Sequence, residues 1–235
     1  MLRLILFTFF LLMLTDCLGQ AERHQIVVEL ENDIIIPNRY IIYYTPDNLI
    51  IDGKTNERVW KDAPFTNSFI DIEGIKIPKF NTQVKMLWNE RYLFIYAQLE
   101  EQHISANLTE HDTVIFYDND FEVFIDPSDD TYNYIEIELN ALGTLWDLKL
   151  DKPYRVGGKP DNYFEISGIE IGIDLQGTLN DASDIDEQWA VEIAIPMNVL
   201  KETKSKNKKI PLDGEQWRIN FSRVEWEQEF IDPKT

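Results

Sequence analysis

The stretch DNDFEVFIDPSDDTYNYIEIELN, residues 118–140, holds two runs of strict alternation separated by a breaker. In Phe121–Asp126 the apolar Phe121, Val123 and Ile125 alternate with Glu122, Phe124 and Asp126. In Tyr134–Asn140 the apolar Ile135, Ile137 and Leu139 alternate with Tyr134, Glu136, Glu138 and Asn140. A period of two marks a β-strand with one face on a core. Pro127, which has no N–H for a ladder, and the turn formers Ser128, Asp129 and Asp130 stop the first run. Both strands therefore present a second face away from the core, bearing carboxylates, an amide and aromatic rings.

Outward from this pair the same period recurs. Val84, Met86 and Trp88 share one side of Thr82–Trp88. After the polar turn Asn89–Arg91, Leu93, Ile95, Ala97 and Leu99 share one side of Tyr92–Leu99, which completes a hairpin. Further strands are predicted over Trp146–Leu150, Ile166–Leu175, Trp189–Ile195 and Trp217–Val224, with a short helix starting at Pro196–Leu200 and a solvated Lys-rich loop over 201–209. An Asp52-Gly53 turn precedes a short helical bend ending at Trp60. The segment 20–48 reads as a weakly patterned lead, with β-branched or aromatic stretches at Ile34–Ile36 and Tyr40–Tyr44. Many short alternating strands and no long helix predict an all-β, two-sheet β-sandwich spanning residues 49–235.

Residues 1–19 read as a signal peptide: Arg3, then the apolar run Leu4–Leu14, then Gly19. That run is about half of what a bilayer-spanning helix needs, which argues against membrane insertion. The expected location is secreted, periplasmic or extracellular. A lipid anchor on Cys17, the single cysteine, is the alternative, although Asp16 stands where lipoprotein processing favours a small residue. The chain carries 22 Lys+Arg against 42 Asp+Glu, a formal net charge of −20. Such a surface repels nucleic acid and anionic lipid. An aromatic content of 12% and an apolar content of 44% are too high for a disordered acidic chain.

Two readings of the polar strand faces stay open. One is a sugar platform, with rings stacking on C–H faces and carboxylates and amides meeting hydroxyls. The other is an ordinary wetted sheet face. Tyr134, Glu136 and Asn140 are the candidates there with Glu122, and Trp226, on the side of Arg218 and Asn220, is the tryptophan most available to a ligand. Trp88, Trp146, Trp189 and Trp217 are expected in the core. The acidic run 112–126 suits a structural calcium ion, with Asp118, Asp120 and Asp126 as candidate ligands; a turn-rich acidic loop is the alternative. Paired carboxylates among Glu122, Glu136 and Glu138 would also serve a glycoside hydrolase, but 42 acidic residues make such a pair inevitable. The three histidines, His24, His103 and His111, form no zinc or triad pattern.

Taken together, VKMLWNERYLFIYAQLE (84–100), DNDFEVFIDP (118–127), YIEIELNALGTLWDLKL (134–150), GTLND (177–181), WAVEIAIP (189–196) and WRINFSRVEW (217–226) resemble the carbohydrate-binding family 9-like (DOMON-like) domains of secreted bacterial proteins. The resemblance implies an immunoglobulin-like or jelly-roll sandwich that binds an oligo- or polysaccharide without cutting it, in some members holds calcium, and often works beside glycoside hydrolase partners in polysaccharide breakdown. In sugar-binding members an aromatic residue just before the FEVFIDP-like strand stacks on the ligand. That register falls at Phe116, with Tyr117 next to it, and the acidic residue of the strand that meets sugar hydroxyls falls at Glu122. Members usually continue past the WRINFSRVEW strand into a segment with a second stacking aromatic and a closing strand. Here the second aromatic is either missing or supplied by Trp226, and the sheet edge is expected to be exposed. Related sandwiches can hold haem, for which Met86 is a candidate axial ligand.

Overall fold

A computed structural model describes residues 37–74, 76–203, 211 and 213–227. The signal-peptide reading, Cys17 and Ile34–Ile36 lie outside the described residues. A first unit ends at Ile41; a second, Ile42–Thr235, holds both sheets. Its strands are β1 (Tyr43–Tyr44), β2 (Thr82–Trp88), β3 (Tyr92–Glu100), β4 (Asp120–Asp126), β5 (Tyr134–Asn140), β6 (Leu145–Leu150), β7 (Pro160–Asp161), β8 (Glu170–Gln176), β9 (Gln188–Pro196) and β10 (Arg218–Val224). Two short helices, α1 (Arg58–Asp62) and α2 (Met197–Thr203), and two 3-10 turns at Ile115–Tyr117 and Tyr154–Val156 complete the elements. None of the described helices is long and apolar enough to cross a membrane.

The strands form two five-stranded sheets, ordered β1-β2-β3-β9-β8 and β10-β4-β5-β6-β7. All pairings are antiparallel except β1 with β2. This is the two-sheet sandwich expected from the alternation. Phe121, Val123 and Ile125 of β4, Ile135, Ile137 and Leu139 of β5, Leu93, Ile95, Ala97 and Leu99 of β3, and Val191, Ile193 and Ile195 of β9 are all buried. Phe221 of β10 stacks between Phe121 and Phe69, at 5.9 and 6.4 Å. Met86 packs buried in the same core. Arg223 joins the sheets: its guanidinium donates to Thr82 Oγ1 (3.2 Å), Glu100 O (2.7 Å) and the buried Glu101 carboxylate (2.7 Å).

The outer face of the first sheet is covered, which is why every residue of β9 is buried. Ala190 and Ala194 leave room there for Trp60 and Ala63 of the α1 segment, packed with Leu87, Phe94 and Tyr96. Burying Trp60 alone is worth roughly 4–6 kcal/mol of transfer free energy. Glu192 anchors this cover: its carboxylate accepts Trp60 Nε1–H (3.1 Å), Asp52 N–H (3.0 Å) and Gly53 N–H (3.3 Å). Gly53 takes φ 81°, and its backbone runs so close to β8 that a Cβ on Gly172 would sit 2.5 Å from Gly53 N. The expected Asp52-Gly53 turn thus closes directly onto the sheet.

Three expectations are corrected at this level. Tyr43 and Tyr44, assigned to the lead, pair with Leu87 and Trp88. The strand expected from Ile166 starts at Glu170, because Gly168 (φ 84°) turns the backbone before it. Among the tryptophans, Trp189 is in the core, whereas Trp88 and Trp217 are only half-buried and Trp146 is buried on the opposite side of its sheet. At its outer side, β10 has no partner strand among the described residues.

Candidate functional site

Cross-strand register fixes which side chains share the outer face of the second sheet. Ser222, Glu122, Glu138 and Trp146 lie opposite one another in one row across β10, β4, β5 and β6. The next row holds Asn220, Phe124, Glu136 and Leu148. Above them Asp120 pairs with Asn140 and Val224, and below them Tyr134 pairs with Leu150. The face therefore grades from polar at β10 to apolar at β6.

This face is not open throughout, as the alternation alone suggests. The connection from β3 to β4 folds back over it, and Leu108, Val114 and Ile115 pack on Trp146, Leu148, Leu150 and Tyr134 as a second small core. The 3-10 turn at Ile115–Tyr117 places Phe116 N–H on Glu138 Oε2 (3.2 Å). Tyr154 donates its O–H to Glu136 (2.9 Å). Glu136 and Glu138 are consequently only 5% and 2% exposed, and Asn140 is fully buried. Asn140 is a structural residue: its amide donates to Leu108 O (2.8 Å) and Asp118 Oδ2 (3.0 Å) and accepts from Leu142 N and Thr144 N. Glu122 stays half-buried with Ser222 Oγ donating to it, and Tyr134 stays half-buried beside Phe124 at 6.5 Å.

Burial, with neighbouring carboxylate charges added for Asp120, Glu136 and Glu138, raises the pKa values of four acidic groups here. Burial, with the Glu122 charge next, pushes Asp120 up to about 9. Burial and the charges of Glu122 and Glu136 push Glu138 up to about 8. Burial pushes Glu136 up to about 7 against the opposing hydrogen bond from Tyr154, and burial raises Glu122 as well. Asp120, Glu136 and Glu138 can therefore donate hydrogen bonds as well as accept them near neutral pH. As a hydrolytic pair, Glu122 and Glu138 would have to flank a scissile bond in an open cleft. Glu138, buried and bonded to the Phe116 amide, has no such access.

The exposed part of the site is aromatic. Tyr117 is 69% and Trp226 is 53% exposed. Phe116 lies between them and the sheet, its ring 5.0 Å from Tyr117 and 6.2 Å from Trp146. Trp226 Nε1–H donates to Phe116 O (2.8 Å) and its backbone N–H to Asn119 Oδ1 (2.9 Å), which fixes the indole. Phe116 thus links Trp226 to Glu138 through its own peptide groups. Tyr117 and Trp226 also line a cleft of about 500 Å³ whose other walls include Ser105, Asn107, Asn119 and Asn180. These wall residues come from three loops with no periodicity to announce them. Ser222 alone was recoverable, by extending the Asn220 face by two residues.

The calcium ligands expected from the acidic run are not gathered at one point. Asp120 and Asp126 stand at opposite ends of β4, about 20 Å apart at strand rise. Asp126 accepts Ser128 and Thr131 N–H and so builds the β4–β5 turn. Asp118 Oδ2 accepts Asn107 and Leu108 N–H (both 2.8 Å) and the Asn140 amide. Asp120 instead lies within 4.8 Å of Glu122 and Glu138, atom to atom, with its Oδ2 unbonded.

An endo-1,4-β-xylanase C from Paenibacillus barcinonensis is 25% identical over 169 residues, covering 71% of this chain. The match spans only 13% of that enzyme's length. A solved protein from Bacteroides uniformis shares the fold at TM-score 0.54 and 16% identity, over 69% of this chain and 72% of its own. A carbohydrate-binding module of family 9 from Caldicellulosiruptor kristjanssonii, solved with glucose and with cellotriose, aligns at TM-score 0.47 and 16% identity over 77% of this chain and 75% or 74% of its own. The profile of the Carbohydrate family 9 binding domain-like family matches residues 51–218, well over half of the chain, and the protein belongs to that family.

Proposed function

We propose that this protein is a secreted, non-catalytic carbohydrate-binding module for a neutral oligo- or polysaccharide, working alongside glycoside hydrolases in polysaccharide breakdown. The observation that carries the reading is the pair of exposed rings, Tyr117 and Trp226, on a polar cleft lined by amides, a hydroxyl, the His103 imidazole and the carboxylates of Asp118 and Asp181. Rings take the apolar C–H faces of a sugar, and Ser105, Asn107 and Asn180 bring hydroxyl and amide groups to its hydroxyls, with Asn119 holding the indole of Trp226 in place. Phe116 adjoins the two rings, its own ring 5.0 Å from Tyr117 and its carbonyl accepting Trp226 Nε1–H. Family membership supports the substrate class, since the Caldicellulosiruptor relative holds glucose and cellotriose. The xylanase relative supports the hydrolase association, and the N-terminal apolar run supports secretion. The net charge of −20 disfavours acidic glycans.

Isothermal titration against glucose, cellotriose, xylotriose and further soluble glycans tests the proposal. Binding of at least one of them is expected, weakened about tenfold or more by Trp226→Ala and by Tyr117→Ala. A folded protein that binds none, or whose binding ignores both variants, overturns it.

A further inference from the structure

Beside β6 of the second sheet, outside the row of Glu122 and Glu138, a histidine and three carboxylates converge. His111 and Asp112 come from the β3–β4 connection, Asp147 from β6, and Glu165 from the segment between β7 and β8. His111 Nε2 lies 3.4 Å from Asp112 Oδ1, 3.8 Å from Asp147 Oδ1, and 3.2 and 3.4 Å from the two Glu165 oxygens. Ligands held about 2.1 Å from a tetrahedral ion stand about 3.4 Å from one another. The spacings from His111 Nε2 bracket that value, and ligand atoms of His111, Asp112 and Asp147, one from each, lie within 4.8 Å of one another.

Hydrogen bonding alone does not satisfy this cluster. One N–H at Nε2 faces three carboxylates and can serve one of them well. Asp147 has a side chain only 1% exposed; its Oδ2 accepts Ile166 N–H, but its Oδ1, aimed at His111, makes no hydrogen bond. Asp112 Oδ1 is likewise buried and unbonded. Two orphaned carboxylate oxygens are unfavourable unless a cation meets them. His111 and Glu165 are about half exposed, so an ion can enter from solvent.

We propose that His111, Asp112 and Asp147, with Glu165 beside His111 at the exposed rim, form a binding site for a first-row divalent metal ion such as Zn2+. The imidazole selects against Ca2+, which prefers an all-oxygen shell. Bound there, the ion clips the β3–β4 connection to β6 and to the segment entering β8.

The test uses the untagged full chain, stripped with chelator and titrated calorimetrically with Zn2+ and, separately, with Ca2+. One Zn2+ per chain is expected, with Ca2+ at least tenfold weaker. Free Zn2+ at about 100 times Kd should raise Tm by roughly 5–10 °C. Asp147→Asn and His111→Gln should each weaken Zn2+ at least tenfold. His111→Gln changes a half-exposed side chain, so its metal-free Tm and circular dichroism serve as the folding check should Asp147→Asn fail to fold. Absence of saturable Zn2+ binding, equal affinity for Ca2+, or Zn2+ binding unmoved by His111→Gln overturns the proposal.

Discussion

Glu138→Gln probes the acidic face most sharply, because that carboxylate is buried among others and yet bonded to the roof of the site. Its pKa rises from 4.5 to about 8, so between those values the folded chain keeps a proton that the unfolded chain has released. Stability is therefore full below about pH 4.5 and is lost as pH climbs through 8. At 1.36 kcal/mol per pH unit, the displacement corresponds to roughly 5 kcal/mol as an upper bound. Water reaching the half-buried Glu122 side screens the repulsion and reduces the net effect to about 1–3 kcal/mol. Glutamine keeps an oxygen for Phe116 N–H and offers its amide to Glu122. Urea unfolding followed by tryptophan fluorescence, from pH 5 to pH 9 with chelator present, should show the variant more stable than the parent by that amount at pH 8.5. At pH 5 the two should agree within about 0.5 kcal/mol. A difference that is the same at both ends, or a variant less stable at pH 8.5, refutes the electrostatic reasoning.

Two further substitutions examine how the site is held in place. Gly172→Ala puts a Cβ 2.5 Å from Gly53 N and 2.6 Å from Asp52 N, both fixed by Glu192. It should cost about 2–4 kcal/mol in denaturant unfolding; a loss under 0.5 kcal/mol would show that the cover over β9 yields freely. Arg223→Ala strands the buried Glu101 carboxylate and removes the tie between sheets, and should cost about 3–5 kcal/mol by the same measurement. A cost below 1 kcal/mol would mean that Glu101 finds its compensation elsewhere.

Much of the sandwich was legible in the alternation. Phe121, Val123, Ile125, Ile135, Ile137 and Leu139 face inward as their spacing requires, and Pro127 with Asp126 closes the turn between them. A period of two, however, only assigns side chains to one face or the other; it does not say what covers the second face. That is why Glu136, Glu138 and Asn140 lie on the expected side but beneath the β3–β4 connection, and why Trp146 is buried on the side opposite the main core. Trp226 and Tyr117 are exposed as expected, since neither has an apolar partner strand to cover it. Asp118 and Asp126 hold backbone N–H groups, and loop carboxylates that do so look, in sequence, like those that hold cations. Two-residue strands such as β1 and β7 have no periodicity to detect. The meeting of His111 with Asp147 across 36 positions is likewise a product of topology alone.

The proposed function requires a sugar lying against Tyr117 and Trp226 with its hydroxyls toward the loop amides. A crystal of the protein soaked with the tightest-binding oligosaccharide locates that ligand directly. A ring stacked on Trp226 or Tyr117, with hydroxyls within hydrogen-bond reach of Ser105, Asn107 or Asn180, is the predicted result. A saccharide ordered on another surface, with these two rings left bare, contradicts it.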